Sequence, residues 1–143
     1  MRTTSYAVHV FCVIGSVALY AIGCEAQSQS SPDDVRRRVA EYERAWTTRD
    51  LKAVWLLMSP RVRQGNDNDE ASFEASVRGA GAWLTRVSIQ NIKISGELAV
   101  VRELVTYSSS SGEKLGNALE ESRWVRIRGN WFFDEYRTLE VTK

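Results

Sequence analysis

The sequence predicts an α+β domain in which three N-terminal helices precede a four-stranded antiparallel meander. Apolar residues recur at helical spacing from Val35 to Leu84, and from Arg86 onward the period shortens to two. The turn-forming triplets "SGE" at 95–97 and "RGN" at 128–130 punctuate that second half. Helices grouped ahead of strands point to α+β rather than to alternating crossover units. A chain of 143 residues suits one core.

The first helix is written at "SPDDV". Ser31 suits the cap, Pro32 the first helical position, and Asp33 and Asp34 the positive end of the helix dipole. Val35, Val39, Tyr42 and Trp46 follow on one stripe. Asp50 caps a second helix with Leu51, Val54, Trp55 and Met58 on one side, and Pro60 ends it by forcing Ser59 out of helical geometry. "RQGNDND" at 63–69 reads as a polar turn, with Asp67 and Glu70 as a capping pair. The third helix carries Phe73, Val77, Ala80 and Leu84 at helical spacing, with Gly79 and Gly81 weakening its end.

The strands begin with a parity conflict. Val87 and Ile89 alternate on one parity, Ile92 and Ile94 on the other. A regular strand would put the two pairs on opposite faces, so an extra residue at Gln90 or Asn91 is expected, bending the strand by a β-bulge. Leu98 to Ser108 forms the second strand, "SSSSGEKLG" a loop, Ala118 to Arg128 the third strand, and Trp131 to Val141 the fourth. The second strand puts Leu98, Val100, Arg102 and Leu104 on one face and Ala99, Val101, Glu103, Val105 and Tyr107 on the other, without indicating which is inward.

Ahead of the domain, residues 1–23 have the charge and apolar pattern of an export leader, with Arg2 followed by an uncharged run from Tyr6 to Gly23. "AIGC" at 21–24 resembles a bacterial lipobox, which implies cleavage before Cys24 and a lipid on its sulfur. Cleavage after Ala26 to release a soluble protein, or retention of the run as an uncleaved anchor, are the alternatives; all three place the domain outside the cytoplasm. Cys12 and Cys24 cannot pair within one helix, since twelve residues span about 18 Å and a disulfide needs Cα atoms within about 7 Å. Residues 24–31 form a Ser- and Gln-rich tether, leaving 32–143 as the domain and the bilayer as a partner through the lipid.

The helix order, "RDLKAVWLLMSP" and "RGNWFFDEYR" together resemble the nuclear transport factor 2-like superfamily, which includes ketosteroid isomerases and polyketide cyclases. The resemblance covers Pro32 to about Leu139. It implies a curved sheet wrapped round the helices as a cone, often with a ligand pocket inside and a homodimer through the outer sheet face. Tyr42, eight residues before Asp50, is similar in spacing to the oxyanion-holding tyrosine of the isomerases. Isomerase chemistry also needs a carboxylate base after the second helix, where Asn66 and Asp67 lie, and a protonated carboxylic acid on a later strand. Glu120 and Glu121 are the third-strand residues available for that role.

Composition narrows the chemistry. The sole histidine, His9, lies in the leader, and so does Cys12, so the domain has neither imidazole nor free thiol for nucleophilic catalysis or a zinc site. No cofactor or metal is expected: "RGAGAW" lacks the lysine and strand context of a phosphate loop, and "DNDE" lacks calcium-loop spacing. With 19 Lys plus Arg against 18 Asp plus Glu there is no basic field for nucleic acid. Carboxylate and phenol chemistry remains, with Tyr42, Glu103 and Glu121 as candidates. Tyr42, Trp46, Trp55, Phe73, Trp83 and Arg102 are candidate pocket residues; core packing is the alternative for the aromatics, favoured for Trp46 and Trp55, and an ion pair with a neighbouring strand is the alternative for Arg102. Trp124, Arg126 and Arg128 share one parity and suggest an outer interface row, since Trp and Arg are enriched at interfaces. The expected function is binding of a small apolar ligand or a protein partner by a tethered domain without catalysis. An isomerase- or dehydratase-like enzyme and a structural envelope module are the alternatives.

Overall fold

The computed structural model describes residues 31–65 and 69–142. The expected leader, Cys24, the tether before Ser31, and Asn66 and Asp67 lie outside the described residues.

Helix α1 (Pro32–Thr47) starts as its sequence dictates. Ser31 is extended, its hydroxyl accepts from the Asp34 N–H, and the Asp34 carboxylate accepts from the Ser31 N–H at 3.3 Å, closing a capping box. Val35, Val39, Tyr42 and Ala45 form its buried face. Asp50 caps α2 (Leu51–Leu57) by accepting from the Ala53 N–H at 3.0 Å. Met58 leaves the helix in an extended conformation and bridges to Phe133.

Pro60 ends one helix and also begins another. Ser59 Oγ accepts from the Val62 N–H at 3.2 Å, and α3 (Pro60–Gly65) follows. The sequence reading placed a turn from Arg63; the Ser-Pro pair is itself a helix start, and the polar residues beyond it are one short helical turn further in. Helix α4 (Glu70–Ala80) is capped by Asp69, which accepts from the Ser72 N–H at 2.7 Å. Gly81 ends it in the left-handed region at φ 67°. Leu84 therefore falls on a strand and not on the expected helical stripe, and Trp83 is a strand residue as well.

The strands β1 (Ala82–Ser95), β2 (Leu98–Ser109), β3 (Lys114–Ile127) and β4 (Asn130–Thr142) pair antiparallel in the order 1-2-3-4. The serine-rich loop contracts to a tight turn because β2 and β3 both extend into it. The last hairpin turns on Arg128 (φ 51°) and Gly129 (φ 83°), two successive left-handed residues as a two-residue hairpin demands.

Pairing slips wherever one strand carries an extra residue. The register of β1 skips Thr85 and Gln90, and that of β4 skips Asp134 and Leu139. The skip at Gln90 is the expected bulge, and it brings Val87, Ile89, Ile92 and Ile94 onto the same core. The resulting curved sheet packs against α1 through Tyr42, which stacks on Phe133 at 4.9 Å and meets Trp124 edge-on at 5.7 Å.

Trp124 corrects the expected interface row. It is 1% exposed, sharing the inner face of β3 with Ala118, Glu120 and Ser122. Arg126 has the same parity but sits at the strand end, where its N–H donates to the Glu97 carbonyl at 2.8 Å, and Arg128 is in the hairpin turn. The outer face presents Leu98, Val100 and Leu104 instead.

The bulge at Asp134 ties the helices to the sheet. Its carboxylate accepts from Ser59 Oγ at 2.6 Å, from Arg61 Nη2 at 2.9 Å and from Arg123 Nη2 at 2.6 Å. Burial alone would raise its pKa; the hydrogen bonds from Arg61, Ser59 and Arg123 outweigh that and hold it at about 2. Replacing Asp134 by Asn removes the buried counter-charge shared by Arg61 and Arg123 and leaves them only the exposed Glu135. Asp134→Asn is expected to lower stability by about 2–3 kcal/mol in urea unfolding at pH 7, with most of that difference lost below pH 3.

Candidate functional site

Inside the cone lies a cavity of about 500 Å³. Helix α1 contributes Tyr42 and Trp46 to its wall, α4 contributes Phe73 and Val77, and the sheet contributes Glu103, Tyr107, Glu120, Phe133 and Tyr136. The wall is apolar apart from the Tyr42 hydroxyl and Trp46 N–H of α1 and the carboxyl and hydroxyl groups that the sheet carries inward.

Glu103 and Glu120 are cross-strand partners on β2 and β3, directly opposite in register. Both are on the inner face and buried, at 6% and 4% exposure. Burial pushes the Glu103 carboxyl up to about 7; the Ser122 hydroxyl opposes that shift, and the charges of Glu120 and Glu43 add to it. Ser122 is itself held by a 3.0 Å hydrogen bond from Trp124 Nε1. Glu103 Oε2 is buried without a hydrogen-bond partner among the described residues, and so is Trp46 Nε1. Burial also raises Glu120, against the hydrogen bonds from Tyr107 and Thr138. The Tyr107 hydroxyl donates to Glu120 Oε1 at 2.8 Å. Both phenols are pushed well above their ordinary value, Tyr42 and Tyr107 chiefly by burial, so each stays a neutral hydrogen-bond donor. The arrangement offers one carboxyl that changes charge near neutrality, a second clamped by a tyrosine, and a phenol from α1. Among the described residues no group of three or more His, Cys, Asp or Glu is placed to hold a metal ion.

The structure sorts the sequence candidates. Tyr42, Trp46, Phe73 and Glu103 line the cavity. Trp55 packs on Phe73 at 5.4 Å as core. Trp83 is buried beside Trp46, with the Arg49 guanidinium 4.9 Å over its ring. Arg102 points out of the cone, since Glu103 holds the inward parity, and it borders a shallow depression on the opposite face. Glu121 also points outward, paired with Arg137; its neighbour Glu120 takes the inner position. Tyr107 and Tyr136 were not singled out. Tyr107 shares the parity of Glu103 four residues earlier, a signal that becomes readable once that parity is known to be inward.

No family model matches the chain, and no curated protein matches it. Solved structures do. An NTF2-like protein from Cytophaga hutchinsonii superposes with a TM-score of 0.57 at 13% identity, covering 76% of this chain and 97% of that one. The chain has an NTF2-like fold. A protein of cystatin-like fold from Caulobacter vibrioides gives 0.54 at 15% identity over 78% and 89% of the two chains. A SEC-C motif protein from Rhodopseudomonas palustris gives 0.53 at 18% identity over 77% and 80%. At such identities the likeness is one of fold, an open four-stranded sheet curled over helices.

The buried carboxyl makes stability depend on pH. Folded Glu103 keeps its proton to about 7, whereas its ordinary value is 4.5. Between those values the folded state binds more protons than the unfolded one, so stability falls as pH rises through the window. The full effect is worth about 3 kcal/mol. Glu103→Gln should therefore gain on the parent chain between pH 5 and pH 8, read as the difference in thermal midpoints. Parallel pH profiles for the two proteins would show that the carboxyl is not desolvated.

Proposed function

We propose that this chain is an extracytoplasmic domain, tethered to a membrane through Cys24, whose cone binds a small and mostly apolar ligand without transforming it. The observation that carries the binding role is the unfilled cavity with a buried carboxyl oxygen, Glu103 Oε2, left unpartnered at its wall among the described residues. Such atoms cost free energy unless something completes their hydrogen bonds. A ligand with an apolar body and a donor for that carboxyl oxygen does so. A purely structural module has less support, because packing side chains would then fill the space.

The membrane tether rests on the leader over 1–23 and the "AIGC" motif. The intact-protein mass from a bacterial host tests it. Diacylglycerol on an N-terminal Cys24 is expected, whereas an unmodified terminus at Gln27 would make the domain a secreted soluble one.

Binding is tested with N-phenyl-1-naphthylamine, an uncharged probe that fluoresces in apolar surroundings. Saturable binding in the micromolar range is expected. Val77→Trp, which fills the cavity from α4, should weaken it at least tenfold while thermal unfolding stays cooperative. Equal binding by both proteins would place the probe elsewhere.

A second reading is favoured by one observation: a carboxyl that titrates near 7 shares the cavity with a neutral phenol, the pairing used for proton transfer next to a carbonyl. Deuterium exchange into 2-cyclohexenone in D2O, dependent on Glu103, would move the assignment to catalysis.

A further inference from the structure

We propose that the ligand of the cone is a small apolar ammonium ion, held with its charge between Glu103 and Glu120. This rests on the binding role proposed above and adds the charge of the ligand to it.

The argument starts from charge balance. Four acidic residues border the cavity: Glu103, Glu120, Asp134 and Glu135. Two are already neutralised. Asp134 pairs with Arg61 and Arg123, and Glu135 lies 2.8 Å from Arg123 Nη1. Among the described residues neither Glu103 nor Glu120 has an ion pair, and no Lys, Arg or His lines the cavity. The remaining polar groups facing Glu103 sharpen the point. From α1 come Tyr42 and Glu43 and from β3 Glu120 and Ser122, while Tyr107 of β2 and Tyr136 of β4 share the cavity. None of these can carry a positive charge. Met58, Val62, Phe73, Val77 and Ala80, brought by the other helices, are apolar.

An anionic ligand would bring a like charge to a site whose carboxyls have no cation opposite them, and is disfavoured. A neutral donor would complete one hydrogen bond and leave the charge uncompensated. An ammonium ion supplies both the donor and the counter-charge in a low-dielectric site, where each counts most. The aromatic wall of Tyr42, Trp46, Phe73, Tyr107, Phe133 and Tyr136 suits a cation as well as an apolar body, since ring faces attract positive charge. Because the ammonium stabilises the ionised carboxylate, its binding expels the proton that Glu103 otherwise holds. Affinity for an amine therefore rises with pH through neutrality.

The test uses three matched probes, 2-phenylethylamine, 2-phenylethanol and 3-phenylpropionate, titrated calorimetrically into the full chain at pH 5.5 and pH 8. The amine is a cation and the propionate largely an anion at both values. The amine is expected to bind at least tenfold more tightly than the alcohol at pH 8, to lose most of that advantage at pH 5.5, and to release protons to the buffer at pH 7. Glu103→Gln should erase the pH dependence of the amine's advantage over the alcohol. Should that variant fold poorly, the comparison of the two pH values in the parent chain still decides. An alcohol that equals the amine, a propionate that exceeds it, or an amine advantage indifferent to pH overturns the ammonium assignment and leaves the pocket standing. Failure of all three together with the uncharged fluorescent probe overturns the pocket and the assignment with it.

Discussion

A sheet of strands twelve to fourteen residues long can close over a helix only by breaking its own two-residue period. That constraint governs the rest of this structure. The extra residues at Thr85 and Gln90 bend β1, and those at Asp134 and Leu139 bend β4, so the two edge strands curl towards the same side. Without the extra residue at Gln90, half of the apolar residues of β1 would face water. The bulge at Asp134 has a second task. It releases a carboxylate from the sheet's own alternation and delivers it to Ser59 and Arg61 at the helix junction, tying helix to sheet there.

The same curvature creates an electrostatic asymmetry. On the outside, acids meet bases: Glu121 with Arg137 and Glu74 with Arg78. Inside, two glutamates face each other on neighbouring strands with phenols and indoles for company. Like charges opposite one another weaken a sheet, and burial compounds the cost. The chain bears that cost in the wall of a cavity, a setting in which perturbed carboxyls often have a function. Glu120 is partly relieved by Tyr107, and Glu103 only by Ser122. The difference leaves Glu103 as the responsive group.

Much of the fold was legible from local chemistry. Ser31, Pro32 and Asp50 announce helix starts through interactions confined to four residues, and the Ile89–Ile92 parity conflict has no economical solution except a bulge. The errors share a cause. Leu84 continues a helical stripe on paper, but Gly81 turns the chain left-handed three residues earlier. The Ser59–Pro60 pair carries two meanings, a stop and a start, and periodicity reads just one. At the site, alternation identifies pairs of faces without saying which is inward. Arg102 against Glu103 and Glu121 against Glu120 are decided by the packing of α1 on the sheet, a long-range contact that no local pattern contains. Trp124 fell to the same ambiguity: its arginine neighbours suggested the surface, while its indole completes the stack of Tyr42 and Phe133.

The account turns on a single group, the Glu103 carboxyl, being desolvated within an unfilled cone. Carbon-13 NMR titration of glutamate side-chain carboxyls, with Glu103 assigned by substitution, measures that directly. One resonance with a midpoint near 7, removed in Glu103→Gln and accompanied by a smaller inflection at the Glu120 carbon, is the predicted result. A Glu103 midpoint below 5, as for an exposed or ion-paired carboxylate, would contradict it.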